Sequence, residues 1–202
     1  MMTALKLFGV AAVAAGAVMM AGGAAQAAIV FQDEFDAEIP GSTVNYNSFV
    51  KWDVLNGTVD LIAQGGFGLS CLGGAGKCVD LDGSTGNAGD LRTKLAIGPG
   101  VYELEFWISG NQRGGASDTM TVTFGDLNEV FVRAPAAPYG GIIRTVTVGG
   151  LGDKILFSHA GADNVGMMLD RVIVRDIPEP ATLALLGLGL AGLGVARRRK
   201  AA

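Results

Sequence analysis

From residue 29 to residue 177 the hydrophobic positions recur at every second residue, in short runs broken by Gly, Asn, Asp and Pro. No stretch of useful length carries the i, i+3, i+4 spacing of an amphipathic helix, so the pattern predicts strands. The clearest covers residues 101–108: Tyr102, Leu104, Phe106 and Ile108 fall on one face, and Glu103, Glu105 and Trp107 on the other. Residues 119–124 repeat the design, with Met120, Val122 and Phe124 facing in and threonines facing out. Nine further segments read as strands: 29–35, 49–55, 58–63, 78–81, 91–97, 130–133, 142–148, 154–158 and 167–175. Short strands at this spacing predict an all-β domain, a jelly-roll-like sandwich of two sheets. Its turns are supplied by 24 glycines, and the absence of a fixed repeat argues against a solenoid or propeller.

Two apolar segments flank this domain. Residues 1–27 hold 20 apolar side chains; Lys6 precedes an uncharged run from Leu7 to Ala25, and Ala25-Gln26-Ala27 offers small residues where a signal peptidase reads. That layout predicts a secretory signal helix cleaved after Ala27. An uncleaved anchor is the alternative, since the uncharged run is nearly long enough to span a bilayer. At the other end, Pro178-Glu179-Pro180 precedes residues 181–196, with 11 apolar side chains and no charge, and then Arg197-Arg198-Arg199-Lys200. As a helix that run rises about 24 Å against a hydrocarbon core of roughly 30 Å, so this short transmembrane helix needs local thinning or snorkelling arginines. The basic cluster stays cytoplasmic by the positive-inside rule. The expected organisation is a signal peptide at 1–27, a β-sandwich at 28–176 and a sorting segment at 177–200, with the domain exported to the periplasmic side.

The ends also distort the whole-chain averages, a mean hydropathy of +0.40 and a net charge of −4. Residues 29–177 carry 10 Lys/Arg against 18 Asp/Glu, a net charge of −8. A nucleic-acid partner is excluded, because such surfaces displace counterions with basic stripes.

Pro-Glu-Pro, a short Leu/Gly/Ala helix and an arginine-rich terminus, in that order over residues 177–200, resemble the PEP-CTERM sorting signal of Gram-negative, biofilm-forming bacteria. The resemblance implies recognition by a membrane-embedded exosortase, cleavage near Pro178-Glu179-Pro180, transient residence in the inner membrane, and transfer to the cell surface or extracellular matrix. It also implies association with exopolysaccharide. The order of FQDEFD, PGVYELEFWISGNQRG and GMMLDRVIVRD resembles galactose-binding-like carbohydrate modules, which implies the jelly roll.

Cys71 and Cys78 are the only cysteines, and around a Gly-rich tip in an oxidising compartment they predict one disulfide. His159 is the sole histidine and no serine sits in a G-x-S-x-G elbow, which argues against nucleophilic catalysis. Glu103 and Glu105 would stand roughly 6–7 Å apart on one strand face, a spacing that suits glycoside hydrolysis or simply a solvated strand face. Trp107 shares that face and, with Trp52 or Tyr139, offers a flat ring to a sugar or is simply covered by a loop. No cofactor is required by these residues. Calcium is the one metal with candidate ligands, at Asp33, Asp36, Asp80 and Asp82, with Glu34, Glu38, Asn87 and Asp90 nearby in sequence, although such runs also form turns. Asp170 is expected to be buried beside Val172 and Val174 with a hydrogen-bonding partner.

The leading expectation is therefore a non-catalytic, secreted, exosortase-processed surface or matrix protein that binds exopolysaccharide; the alternative is a carbohydrate-active hydrolase using Glu103 and Glu105. Intact mass of the mature protein from envelope and medium checks the processing. The expected product lacks residues 1–27 and the segment after Pro-Glu-Pro.

Overall fold

Alternating side chains become strands where one face finds a core, and eleven strands form in the computed structural model, which describes residues 27–161 and 163–178, with Gly187, 189–193 and Arg197 near the C-terminus. They are β1 (Ile29–Asp33), β2 (Trp52–Leu55), β3 (Asp60–Ala63), β4 (Lys77–Asp80), β5 (Asp90–Thr93), β6 (Gly100–Ser109), β7 (Asp118–Phe124), β8 (Leu127–Arg133), β9 (Gly140–Val148), β10 (Leu156–His159) and β11 (Met168–Asp176). Each expected strand is present. Several are shorter at one end: β1 stops before Phe35, which adopts a φ of 58°, and β2 begins only at Trp52. The described C-terminal positions are helical, and no helix among the described residues is long and apolar enough to cross a membrane. The signal helix expected at 1–27 lies outside the described residues except for Ala27.

The strands form two antiparallel sheets. One has the order β3-β4-β11-β6-β9, with β1 also paired to β11; the other has the order β2-β5-β10-β7-β8. β4 pairs with the start of β11 and β1 with its second half, so the two share one edge of β11 while β6 takes the other. The core between the sheets is the predicted inward set: Leu104, Phe106 and Ile108 from β6, Met120, Val122 and Phe124 from β7, and Val172 and Val174 from β11. Phe157 is its aromatic centre, with ring centroids 5.3 Å from Phe106 and 5.8 Å from Trp52.

One position corrects the alternation. The register slips between Asp170 and Val172, where Arg171 has a φ of 41°. This β-bulge inserts a residue into β11. Leu169 and Val172 therefore both face the core, and Asp170 turns to the outer face rather than joining Val172 and Val174. It is buried there, as expected, and accepts hydrogen bonds from the Leu72 and Arg171 amides at 2.9 and 2.7 Å.

Buried carboxylates tie down the loops. Asp33 accepts the Phe35 amide and the Trp52 indole N–H at 3.0 and 2.8 Å. Glu38 accepts the Tyr46 hydroxyl and the Val50 amide, and Asp60 accepts the Asn45 and Ser84 amides. Asp80 accepts the Asp82 and Gly166 amides and pairs with Arg113 at 3.3 Å. Burial pushes the Asp80 carboxyl up to about 7, against the opposing pull of those amides and Arg113. Burial likewise raises Asp170 to about 7 and Asp118 to about 6.

These groups set a pH dependence. Each raised carboxyl favours the folded state when protonated, so its contribution is complete below the unfolded value and is lost as pH rises through about 6 to 7. His159, lowered by burial, acts oppositely: its contribution is present above the unfolded value and is lost as pH falls through its depressed one. With three carboxyls against one imidazole, the thermal midpoint is expected to rise as pH is lowered from about 8 to about 6. Scanning calorimetry across that range checks the slope.

Candidate functional site

The outer face of the β3-β4-β11-β6-β9 sheet gathers the polar residues that alternation turned away from the core. Glu103, Glu105 and Trp107 project from β6, flanked by Arg175 on β11 and by Gly141, Ile143 and Thr145 on β9. The Arg175 guanidinium lies 2.7 Å from Glu105 and 3.4 Å from Glu103, bridging both carboxylates. The Trp107 indole N–H donates to Glu105 at 2.9 Å, which fixes the ring's edge. Trp107 is paired with Gly141, and a Cβ at Gly141 would come within 3.0 Å of the ring. A side chain at this position would press on the indole, so glycine suits the close approach of the six-membered ring to β9.

Partial burial alone would raise the Glu105 carboxyl. The indole N–H and the guanidinium of Arg175 outweigh it and hold the group below the usual carboxylate range. A general acid needs the opposite shift, because it must hold a proton near neutral pH. Glu105 is thus held in its charged form, and both glutamates are ion-paired to Arg175.

Beside this face, the chain from β3 to β4 folds back over the sheet. Cys71 and Cys78 form the predicted disulfide, with Cα atoms 5.5 Å apart. Together with Ile62, Leu69 and Met168, and with Tyr139 packed against them, they make a second apolar cluster on the outer side. Gln112 locks the loop from the other direction: its carbonyl accepts the Ser70 amide and its amide donates to the Ser70 carbonyl, both at 2.8 Å. Ser70, Ser109, Gln112, Tyr139 and the Ala136–Pro138 turn line an open hollow. Burial, with the charge of Asp170, raises the Tyr139 phenol.

The other expected site residues are dispersed. Trp52 is wholly buried in the core and offers nothing to a ligand, because its indole N–H needs the Asp33 acceptor that the interior supplies. Asp33, Asp36, Asp80 and Asp82 do not converge: among the described residues no three carboxylates come within 4.8 Å of one another. Asp33 and Asp36 lie where the chain leaves β1, and Asp80 and Asp82 where it leaves β4. Their oxygens serve backbone amides instead, Asp36 accepting that of Lys77 at 2.7 Å and Asp82 that of Asp163 at 3.2 Å. Glu34, Asp36 and Asp170 share a small polar hollow, but Arg171 pairs with Glu34 at 3.2 Å and the Lys77 ammonium donates to the Asp36 carbonyl. Asp33, Asp36, Asp80 and Asp82 are thus split between two turns rather than gathered at one point. His159 is a buried strand-end residue whose Nε2 accepts the Met167 amide.

Arg175, Gly141 and Gln112 were not legible as site residues in the sequence. The one available signal was that Arg175 alternates outward on the final strand. Of the sorting residues, Pro178 and Arg197 are described, and Glu179, Pro180, Arg198 and Arg199 lie outside the described residues, as does Ala25.

The family model described as the PEP-CTERM protein-sorting motif matches residues 176–200, so the chain carries that motif. No characterised protein matches the chain significantly in sequence. In structure it is similar to the cleaved adhesin domain of Lys-gingipain from Porphyromonas gingivalis, with a TM-score of 0.52 and 18% identity over 74% of this chain and 99% of that one. It is also similar to a family 35 carbohydrate binding module from Clostridium thermocellum, with a TM-score of 0.42 and 12% identity over 72% of this chain and 98% of that one. A third likeness, to the CBM22-1–GH10 modules of the endo-1,4-β-D-xylanase 10B of Clostridium thermocellum, complexed with xylohexaose, has a TM-score of 0.46 and 14% identity over 75% of this chain and 29% of that one. The adhesin-domain likeness shows the fold, a jelly-roll sandwich.

The disulfide loop is the lid of the second apolar cluster, so breaking it has a stated cost. Replacing both Cys71 and Cys78 by Ala is expected to destabilise the domain by about 2–4 kcal/mol. Urea unfolding of the variant against the oxidised protein measures it.

Proposed function

We propose that the chain is an exported, exosortase-processed protein of the cell surface or extracellular matrix, and that its sandwich is a non-catalytic module binding exopolysaccharide. Signal peptidase and exosortase are its processing partners in this reading, acting after Ala27 and near Pro178-Glu179-Pro180. The sorting motif at 176–200 supports export and surface delivery.

One observation carries the ligand class: the Trp107 ring laid across Gly141 and flanked by Glu103, Glu105 and Arg175. A sugar ring has an apolar C–H face and a rim of hydroxyls. An indole held at its edge gives the C–H face a surface to stack on, and carboxylates and a guanidinium are the acceptors and donors that hydroxyls need. The surrounding sheet face is open, as a long polymer requires, with Ile143, Thr145 and Thr147 exposed along β9. Hydrolysis by Glu103 and Glu105 is disfavoured by the occupation of both groups by Arg175, and the depressed carboxyl does not suit Glu105 to the general-acid role.

Affinity electrophoresis or calorimetry against the organism's own exopolysaccharide tests the reading. Trp107→Ala is expected to weaken binding about tenfold or more, the usual scale of a buried aromatic anchor, with an unchanged thermal midpoint. Gly141→Val, which displaces the indole, is expected to weaken it similarly. Release of new reducing ends by the wild-type protein, abolished in Glu103→Gln, would support the hydrolase instead.

A further inference from the structure

β1 begins and β11 ends side by side: Ile29 is paired with Arg175, and the Asp176 amide donates to the Ala28 carbonyl. Chain entry and exit therefore share one end of the sandwich, together with the start of β6 and the end of β9, where Gly100 faces Val148. Large apolar side chains stand exposed around this end. Val30, Val50 and Leu95 line a hollow with Lys51 and Lys94, and Val101 and Ile177 flank the exit, the Ile177 amide donating to the Val101 carbonyl. Leu151 sits at the tip of the Gly149–Gly152 turn, fully exposed at 101%. That turn is tied to the same end through the Ile97–Asp153 bridge.

The charge here is also unlike the rest of the domain. Three of its four lysines, Lys51, Lys94 and Lys154, lie at this end, and among the described residues none of them forms an ion pair with a carboxylate. The acidic groups facing the same end are Asp126, Asp153 and Asp176, whose carboxylates accept backbone amides of Thr147, Gly125, Lys154 and Ala28. This end is thus charge-balanced on a domain of net charge −8.

We propose that before processing this apolar, lysine-bearing end rests on the lipid surface, with Leu151 and Leu95 in the interface between headgroups and acyl chains. The inference rests on the reading that residues 181–196 enter the membrane. The occupant is fixed by the chain itself: four residues, 177–180, join the end of β11 to that apolar run, and even fully extended they span only about 14 Å. The headgroup layer takes up much of that reach, so the exit end has no room to stand clear of the bilayer. An exposed apolar end without net negative charge is the part of the domain that an anionic lipid interface accepts, since it would repel the acidic remainder. Such a seat orients the domain relative to the bilayer.

The test uses the signal-processed chain, residues 28–202, in vesicles of phosphatidylethanolamine and phosphatidylglycerol with brominated acyl chains, and no other protein. A fluorophore is placed at Leu151→Cys, at Leu95→Cys, or at Val132→Cys on the outer face of β8. Quenching at Leu151 and Leu95 is expected to exceed that at Val132 by roughly threefold or more. Flotation of the same samples reads insertion of the tail separately. Flotation with equal quenching at all three positions would overturn the lipid seat alone, and failure to float would overturn the tail reading and this inference with it. Quenching that appears only when another membrane protein is added would assign the surface to that protein and also overturn it.

Discussion

The loops of this domain depend on buried carboxylates. A sandwich of eleven short strands has many connections, and every amide that a connection buries must find an acceptor. Asp33, Glu38, Asp60, Asp80, Asp82 and Asp170 are those acceptors, each buried and each bonded to a backbone amide. Together they fasten the chain after β1, the approach to β2, the exit of β4 and the disulfide loop. The acidity of the domain is in this sense architectural. Most of these oxygens are committed to amides, the second oxygen of Asp82 being the unpartnered one, and the aspartates stand at separate turns rather than around one point.

The same economy shapes the outer sheet face. A bulge at Arg171 turns Asp170 outward, where it anchors the Leu72 amide and so the disulfide loop. That loop covers the β3-β4 side of the face and leaves the β6-β9 side open. Trp107, Glu105 and Arg175 are coupled in a chain of hydrogen bonds, so the indole is held in place before any ligand arrives. An aromatic ring already fixed costs little entropy on binding. The exit end of the sandwich has a different character, apolar and charge-balanced, so the two surfaces differ in the chemistry they offer.

Much of this was written locally in the chain. Alternation alone placed all eleven strands and sorted Leu104, Phe106 and Ile108 from Glu103, Glu105 and Trp107, because side-chain direction in a strand follows the pleat from residue to residue. Two cysteines around a glycine-rich tip were enough for the disulfide. The sorting motif was equally plain, since a linear signal read by a membrane enzyme needs no fold. The boundaries of β1, β2 and β5 were overextended because Phe35, Phe49 and Ile97 are buried from loops, and burial without a strand gives the same apolar letter.

What the tertiary structure decided is everything that depends on register between distant strands. Gly141 lies beneath Trp107 and Arg175 bridges Glu103 and Glu105 only because β9 and β11 pair with β6 as they do. Trp52 and Trp107 are the same residue type in similar patterns, and only the packing of Asp33 against one and of Gly141 against the other makes the first a core residue and the second a surface ring. The gathering of Val30, Leu95, Leu151 and Ile177 at one end is likewise a product of antiparallel pairing, which brings separate turns to a common edge. Direction along a strand is a short-range property of the backbone. Neighbourhood across a sheet is fixed by the cooperative burial of both faces.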